Sequence, residues 1–341
     1  MSKENFLNEF RQDLVSGDWV LYSTQRSRRP QEHKYADSYQ PKEGCPFEDP
    51  KASGQEIIEF YPSLAGQAED DWFAASLKNK YPGVKQGICS PGFQNGPFEI
   101  HGAIGSHEVI VYKDHEKHFA DFSQAEAVNA IRFYKKRYQS ISEGENKDCT
   151  RYIMIFHNFG KEAGASIYHP HSQVISTPIL PPDVASSISG SYDFYEKNKK
   201  RVYDVIIDWE KEQKKRIVYE NDLFIAFCPF VSKIPYEVRI FLRDSHAHFE
   251  KMPDEFDKYL ADALISVLKK IKGALNNPPY NFFIHTAPFE NGLANPAHEY
   301  YSWHIEILPK LSISAGFELG TGVDINIVDP DMAAEELRNT K

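Results

Sequence analysis

The chain repeats itself, and that repetition limits its fold more than any other feature. His107–Tyr112 (HEVIVY) reads as a buried strand, Ser123–Ile141 as a helix and Arg151–Phe156 (RYIMIF) as a second strand. Roughly 130 residues later the order returns, with Tyr236–Phe241 (YEVRIF), a helix over Phe256–Ile271, and Tyr280–His285 (YNFFIH). Each series ends in a further strand, His171–Thr177 in the first and His304–Leu308, stopped by Pro309, in the second. The first helix carries Val128, Ile131, Tyr134, Tyr138 and Ile141 at helical spacing and opens with Ser123 and Glu126, a capping box. The second sets Phe256, Tyr259, Ala263, Val267 and Ile271 on one face. The pattern predicts an α+β fold of two similar halves, each an antiparallel sheet with helices on one face. Residues 178–182 and 186–191, rich in Pro, Ser and Gly, read as a linker, and the charged segment 193–215 as a solvated helix. The expected division is therefore 1–190 and 191–341.

Composition narrows the partners. A net charge of −10 lacks the cation excess that neutralises a phosphate backbone, so no nucleic acid is expected. A small anion can still be held where a few Arg or Lys residues converge. No apolar run reaches the ~18 residues of a membrane span, and the first residues carry no apolar leader, so no membrane association is expected. Cys45, Cys89, Cys149 and Cys228 are few, far apart and without a disulfide-framework spacing. That usage suggests a reducing compartment, the cytoplasm.

The stretch most able to carry chemistry is His157–Gln173, HNFGKEAGASIYHPHSQ. It leaves a strand, crosses a loop holding Gly160 and Gly164, and enters a strand at His169-Pro-His171-Ser-Gln173. Strand alternation puts His169, His171 and Gln173 on one face, a polar row that is costly to bury without partners. Pro170 removes a ladder donor, which suits an edge strand. Gly164-Ala-Ser166 offers backbone N–H groups to phosphate oxygens. Histidines at this spacing also occur as satisfied structural pairs or as metal ligands. The glycines before them and the glutamine after them favour a phosphate site.

These residues resemble the galactose-1-phosphate uridylyltransferase family, the two-domain branch of the histidine triad superfamily. The resemblance rests on His-Pro-His-x-Gln preceded by an Asn and a Gly-x-Ser loop. It extends to Arg11–Leu21 with Arg26-Ser-Arg28-Arg29-Pro30, to Leu77-Lys-Asn79-Lys-Tyr-Pro82, and to Ala315-Gly-Phe-Glu318-Leu-Gly320-Thr-Gly322. It implies that His171 is the nucleophile that takes a nucleotidyl group and that Gln173 bonds the transferring phosphate. Asn158, Gly164 and Ser166 would hold phosphate oxygens. Arg26, Arg29 and Asn79 would bind the nucleotide, and Glu318, Gly320 and Gly322 the sugar phosphate. The implied substrates are a nucleotide sugar and a sugar phosphate, and the implied assembly is a homodimer.

The resemblance also implies one zinc site, at Cys45, Glu48, His115 and His169. A carboxylate stands there in place of the second thiolate, and carboxylates ligate zinc. In the second half, His285, His304 and Glu306 form only part of a further metal site. Matching His304 to His169 puts Glu306 where the nucleophile stands, so no nucleophile is expected there. Trp303 is expected in the core. The chemistry implied is hexose-1-phosphate uridylyltransfer. The alternatives are an ADP-sugar phosphorylase using phosphate as acceptor, and a nucleotide-sugar-binding homologue without turnover. A triad hydrolase is opposed by Gln173, which donates a hydrogen bond without giving up a proton.

Overall fold

The structure, a computed structural model, describes residues 8–28, 39–62, 71–289 and 296–340. It opens with β1 (Asn8–Gln12) and β2 (Trp19–Ser23). β3 (Ile57–Pro62), β4 (Trp72–Lys78) and a small hairpin, β5 (Phe93–Asn95) and β6 (Phe98–Ile100), lead to β7 (His107–Tyr112). Then come α1 (Gln124–Ser142), β8 (Tyr152–Phe159) and β9 (His171–Thr177). α2 (Pro182–Asn198) and α3 (Val202–Gln213) bridge to β10 (Ile217–Glu220), β11 (Phe224–Phe227) and β12 (Val238–Leu242). α4 (Asp257–Ala274), β13 (Tyr280–His285) and β14 (His304–Pro309) follow, and α5 (Gly316–Thr321), β15 (Asp324–Asn326) and α6 (Pro330–Asn339) finish the chain.

The duplication is plain in the sheet order. Ten strands make one antiparallel sheet, β10-β11-β12-β14-β13-β8-β9-β7-β4-β3. Outward from the middle, β8-β9-β7-β4-β3 has the same design as β13-β14-β12-β11-β10. The two half-sheets are joined where β8 pairs with β13, Asn158 opposite Asn281 and Phe156 opposite Phe283.

α1 and α4 are the helices expected from the periodicity. Ser123 caps α1 as a capping box: its Oγ accepts from the Glu126 N–H at 3.3 Å, and its own N–H donates to Glu126 Oε2 at 2.8 Å. Ile131, Tyr134 and Tyr138 of α1 and Leu264, Val267 and Leu268 of α4 pack on Ile110, Ile153, Val174, Ile240, Phe282 and Ile305 of the sheet, one core spanning both halves. Burying each such side chain stabilises by about 1.5–3 kcal/mol. Trp303 is in this core, against Phe224 and Phe249, as expected. Lys135 of α1 sits 2.7 Å from the fully buried Asp257 of α4, which fixes the register between the two helices.

Residues 182 and 186–191 of the stretch read as a linker are helical. Pro182 occupies the first turn of α2, where a missing N–H costs nothing, and residues 186–191 lie inside the helix. The charged segment after it is broken at Lys199, in the left-handed conformation (φ 53°), so it forms the end of α2 and then α3. Neither is merely solvated. Val184, Ile188, Val202 and Ile207 pack on Ile225, Phe227 and Phe241, covering the sheet face opposite α1 and α4 in the second half. Composition misled here because serine and glycine serve close packing as well as flexibility.

The cysteine reading is also corrected. Cys89 and Cys149 form a disulfide, while Cys45 and Cys228 are free. The bonded pair lies 60 residues apart in sequence, a separation that says nothing about distance in the fold. Among the described residues, no helix is long and apolar enough to cross a membrane.

Gly190 tests the packing of α2. Replacing a helical glycine by alanine ordinarily gains about 1 kcal/mol. Here an added Cβ would stand 1.9 Å from the Val15 carbonyl oxygen, a backbone atom. Gly190→Ala is therefore expected to lower the unfolding free energy by about 2 kcal/mol in urea titration. An unchanged or raised midpoint would contradict this packing.

Candidate active site

β9 carries the central row. It lies between β8 and β7, not at an edge. Pro170 precedes the strand and contributes only its carbonyl, which accepts the Tyr112 N–H at 3.2 Å. Alternation turns Val174 into the helix-side core, and with it Ser172, whose Oγ bonds Tyr134 Oη (2.6 Å), Tyr112 Oη (3.0 Å) and His157 Nδ1 (3.0 Å). His171 and Gln173 face the other way.

His171 is buried, and its Nδ1 lies 2.9 Å from the His169 carbonyl oxygen. A carbonyl only accepts, so Nδ1 carries the hydrogen and Nε2 keeps the lone pair. Burial holds the imidazole below its ordinary 6.5, against the opposing pull of that carbonyl, so it is neutral near pH 7. The Phe47 ring packs edge-on against it, centroids 5.4 Å apart.

The loop after β8 approaches the same point. Gly160 (φ 82°) and Gly164 (φ 88°) take left-handed backbone that glycine tolerates best. Asn158 Oδ1 accepts from Asn281 Nδ2 at 2.7 Å, and that amide also donates to the Ala163 carbonyl at 2.7 Å. With its oxygen taken, Asn158 is left its NH2 group on the side of Gly164. A cavity of about 390 Å³ opens there, lined by Asn158, Gly160, Lys161, Ser166, His169 and His118 among others.

Behind it lies a candidate metal group. Ligand atoms of Cys45, His115 and His169 all fall within 4.8 Å of one another. Glu48 joins them, its Oε2 3.1 Å from His115 Nδ1 and 3.7 Å from His169 Nδ1. His115 Nε2 donates to the Gln40 carbonyl (2.8 Å) and His169 Nε2 to the Tyr112 carbonyl (2.6 Å), so each Nδ1 presents a lone pair. The two Nδ1 atoms lie 3.0 Å apart. Lone pairs that close repel unless a proton or a cation lies between them. Burial lowers His169 to about 4, which disfavours the proton. Burial also pushes the Cys45 thiol up, so a thiolate there needs a positive partner. The donor set fits a cation. Gln40 ties this group to the loop, since its Oε1 accepts the Tyr168 N–H at 3.0 Å.

The remaining expected residues divide. Asn79 is brought to the site, its side chain 3.1 Å from His107 Nε2, which is itself 3.0 Å from Gln173 Oε1. Arg26 is exposed on a 3₁₀ turn, Thr24–Arg28, and Arg29 falls outside the described residues. Glu318, half-buried, and Gly320 and Gly322, exposed, lie on and just after α5 and do not line the cavity beside Asn158. Glu318 accepts the Ala315 N–H at 3.1 Å. Sequence reading missed Gln40, His107 and Asn281. His107 and Asn281 were legible only as polar residues at the start of apolar strands, and Gln40 carried no signal.

The second half keeps more of the pattern than expected. β14 begins at His304 opposite Phe241, as β9 begins at His171 opposite Val111. His304 Nδ1 lies 3.0 Å from the Ser302 carbonyl, two residues back, as His171 does from His169. Strand register therefore sets His304, not Glu306, in the place of His171, and Glu306 in that of Gln173. Spacing along the chain had matched His304 to the wrong histidine. His304 Nε2 faces Glu306 Oε1 at 3.5 Å, His285 Nε2 faces Glu306 Oε2 at 3.6 Å, and Arg239 Nε reaches Glu306 Oε1 at 3.0 Å. Burial opposes ionisation of Glu306, but Arg239 prevails and holds its carboxyl well below the usual range.

The chain is similar to known proteins along its whole length. Residues 2–181 match the family described as galactose-1-phosphate uridyl transferase, N-terminal domain, and residues 102–340 match a domain of unknown function. An ADP-glucose phosphorylase of Arabidopsis thaliana is 32% identical over 99% of this chain and 94% of its own length. A galactose-1-phosphate uridylyltransferase of Thermotoga maritima is 28% identical over 98% of each. The crystal structure of an Arabidopsis thaliana ADP-glucose phosphorylase with bound ADP-glucose superposes with a TM-score of 0.81 at 27% identity, covering 98% of this chain and 99% of that one. The family match over more than half of the chain and these full-length similarities establish that the chain belongs to the galactose-1-phosphate uridyl transferase family and is a nucleotidyltransferase.

Proposed function

We propose that the chain moves a nucleoside monophosphate between sugar phosphates through a covalent nucleotidyl-His171. The observation that carries this is the pinned imidazole: Nδ1 bound to the His169 carbonyl, Nε2 bare, beside a glycine loop. Nε2 attacks the α-phosphorus of a nucleoside diphosphate sugar, and the bond to the sugar phosphate breaks in line. The sugar 1-phosphate leaves as an anion, so no general acid is needed and an amide suffices at Gln173. Positive charge arising on the ring is met at Nδ1–H by the His169 carbonyl. In the second step an acceptor phosphate oxygen attacks, the P–N bond breaks and neutral His171 returns. Asn158, Gly164, Ser166 and Gln173 supply donors to the phosphoryl oxygens. Arg26, Arg29 and Asn79 bind the nucleotide.

The first assignment is UMP transfer between UDP-hexose and hexose 1-phosphate, a step of galactose metabolism. A second reading, phosphorolysis of an ADP-sugar with phosphate as acceptor, is favoured by the higher identity of the Arabidopsis ADP-glucose phosphorylase, 32% against 28% for the Thermotoga uridylyltransferase. The chemistry at His171 is the same in both.

Zinc is the cation assigned to Cys45, Glu48, His115 and His169, because two imidazoles, a thiolate and a carboxylate are its usual donors. These four residues would hold it, and its charge would neutralise the thiolate and the carboxylate. The sugar-phosphate residues Glu318, Gly320 and Gly322 are assigned to a homodimer, α5 of one protomer serving the site of its partner. The exposure of Ile313, Phe317 and Leu319 around α5 supports a contact there.

Four measurements test these assignments. Incubation with UDP-glucose or ADP-glucose alone should add one UMP or AMP to the intact mass of the wild type and nothing to His171→Ala. Product analysis with hexose 1-phosphate or phosphate then names the acceptor, and absence of any adduct removes the transfer reading. Elemental analysis should find one zinc per chain, falling at least tenfold in His115→Ala; equal metal in both would remove the site. Mixing inactive His171→Ala with inactive Glu318→Ala protein should restore part of the activity through mixed dimers. No recovery after subunit exchange would count against a shared site.

A further inference from the structure

His107 opens β7, the strand beside β9, and its ring lies between a backbone amide and the Gln173 side chain. The Gly83 N–H donates to His107 Nδ1 at 3.1 Å. A backbone amide can only donate, so Nδ1 holds the lone pair and Nε2 carries the hydrogen. That Nε2 lies 3.0 Å from Gln173 Oε1, so His107 donates to the glutamine's carbonyl oxygen. Asn79 Oδ1 accepts the Tyr81 N–H at 2.8 Å, which leaves its amide nitrogen 3.1 Å from the same Nε2; with the hydrogen on Nε2 that approach sets donor beside donor and is no hydrogen bond. The second amide of the site is treated alike: Asn158 has its oxygen tied by Asn281 at 2.7 Å. In both, the carbonyl end is occupied and the NH2 end remains.

We infer that His107 is a positioning residue that sets the polarity of the Gln173 amide, so that Gln173 offers N–H donors, and not a carbonyl oxygen, to the transferring phosphoryl group. The inference rests on the nucleotidyl transfer at His171 proposed above. Turned over, the amide would bring lone pairs against an anionic oxygen, replacing attraction with repulsion where charge is largest. An amide alone has little reason to prefer one orientation, because its two ends are nearly equal in size. The Gly83 N–H fixes the tautomer of His107, and His107 fixes the glutamine.

Two variants separate positioning from bulk. His107→Asn keeps an acceptor within reach of the Gly83 N–H but lacks the donor at Nε2. His107→Gln extends an amide N–H to about that position. In single-turnover adduct formation with saturating nucleotide sugar, His107→Asn should slow the step about tenfold or more, with the donor's dissociation constant nearly unchanged. His107→Gln should recover much of the rate, and His107→Asn should add nothing in a Gln173→Ala background. Equal slowing in both backgrounds, or no slowing in the wild-type one, overturns the inference. A readout independent of turnover accompanies it. In protein labelled with ¹⁵N-glutamine, the Gln173 side-chain amide signal, identified by its loss in Gln173→Glu, should move in His107→Asn and stay near its place in His107→Gln. If it does not move, the inference is overturned. If it moves while the wild type forms no adduct, the bond stands and the transfer reading fails.

Discussion

The pairing of β8 with β13 is the interaction on which the rest depends. It joins two half-sheets of like design, lets α1 and α4 share one core, and extends order across the middle of the molecule. It also reaches the site. Asn158 is one residue from the end of β8 and Asn281 one from the start of β13, so their bond depends on the register in which the strands meet. The second half thereby fixes the orientation of the Asn158 amide, which lines the cavity in the first.

Around His171 the same economy appears at smaller scale. Each polar group has one atom spent on a structural bond and one left over. His171 spends Nδ1 on a carbonyl, Asn158 spends Oδ1 on an amide, and His115 and His169 spend Nε2 on carbonyls. What remains is a lone pair on each of the three imidazoles and an N–H group on Asn158. Donors and acceptors held in place beforehand are the condition under which electrostatic stabilisation is strongest.

Much of this was legible in the sequence. The repeat pointed to two half-sheets of like design, the helical spacing to α1 and α4, and the row His169-Pro-His171-Ser-Gln173 to β9. Three kinds of feature were not legible. Long-range partners such as Asn281 and Gln40 have no local signature, because what they bond lies more than a hundred residues away. Small residues mislead, as in α2, where Gly190 signals a close backbone approach and not a flexible joint. Register also fails when two similar histidines compete: His304 fits either member of the pair by spacing, and only the opposing residue on β12 decides.

The Cys89–Cys149 bond has a consequence for the unfolded chain. It closes a loop of 60 residues that holds β5, β6, β7 and α1, all in the half that carries His171. In the chain-entropy account, such a closure removes roughly 4 kcal/mol of disorder from the denatured ensemble. Among the described residues the other half has only Cys228, a lone buried thiol. The halves thus enter folding from unequal starting points: one already confined, the other free to wander until the sheet between them forms.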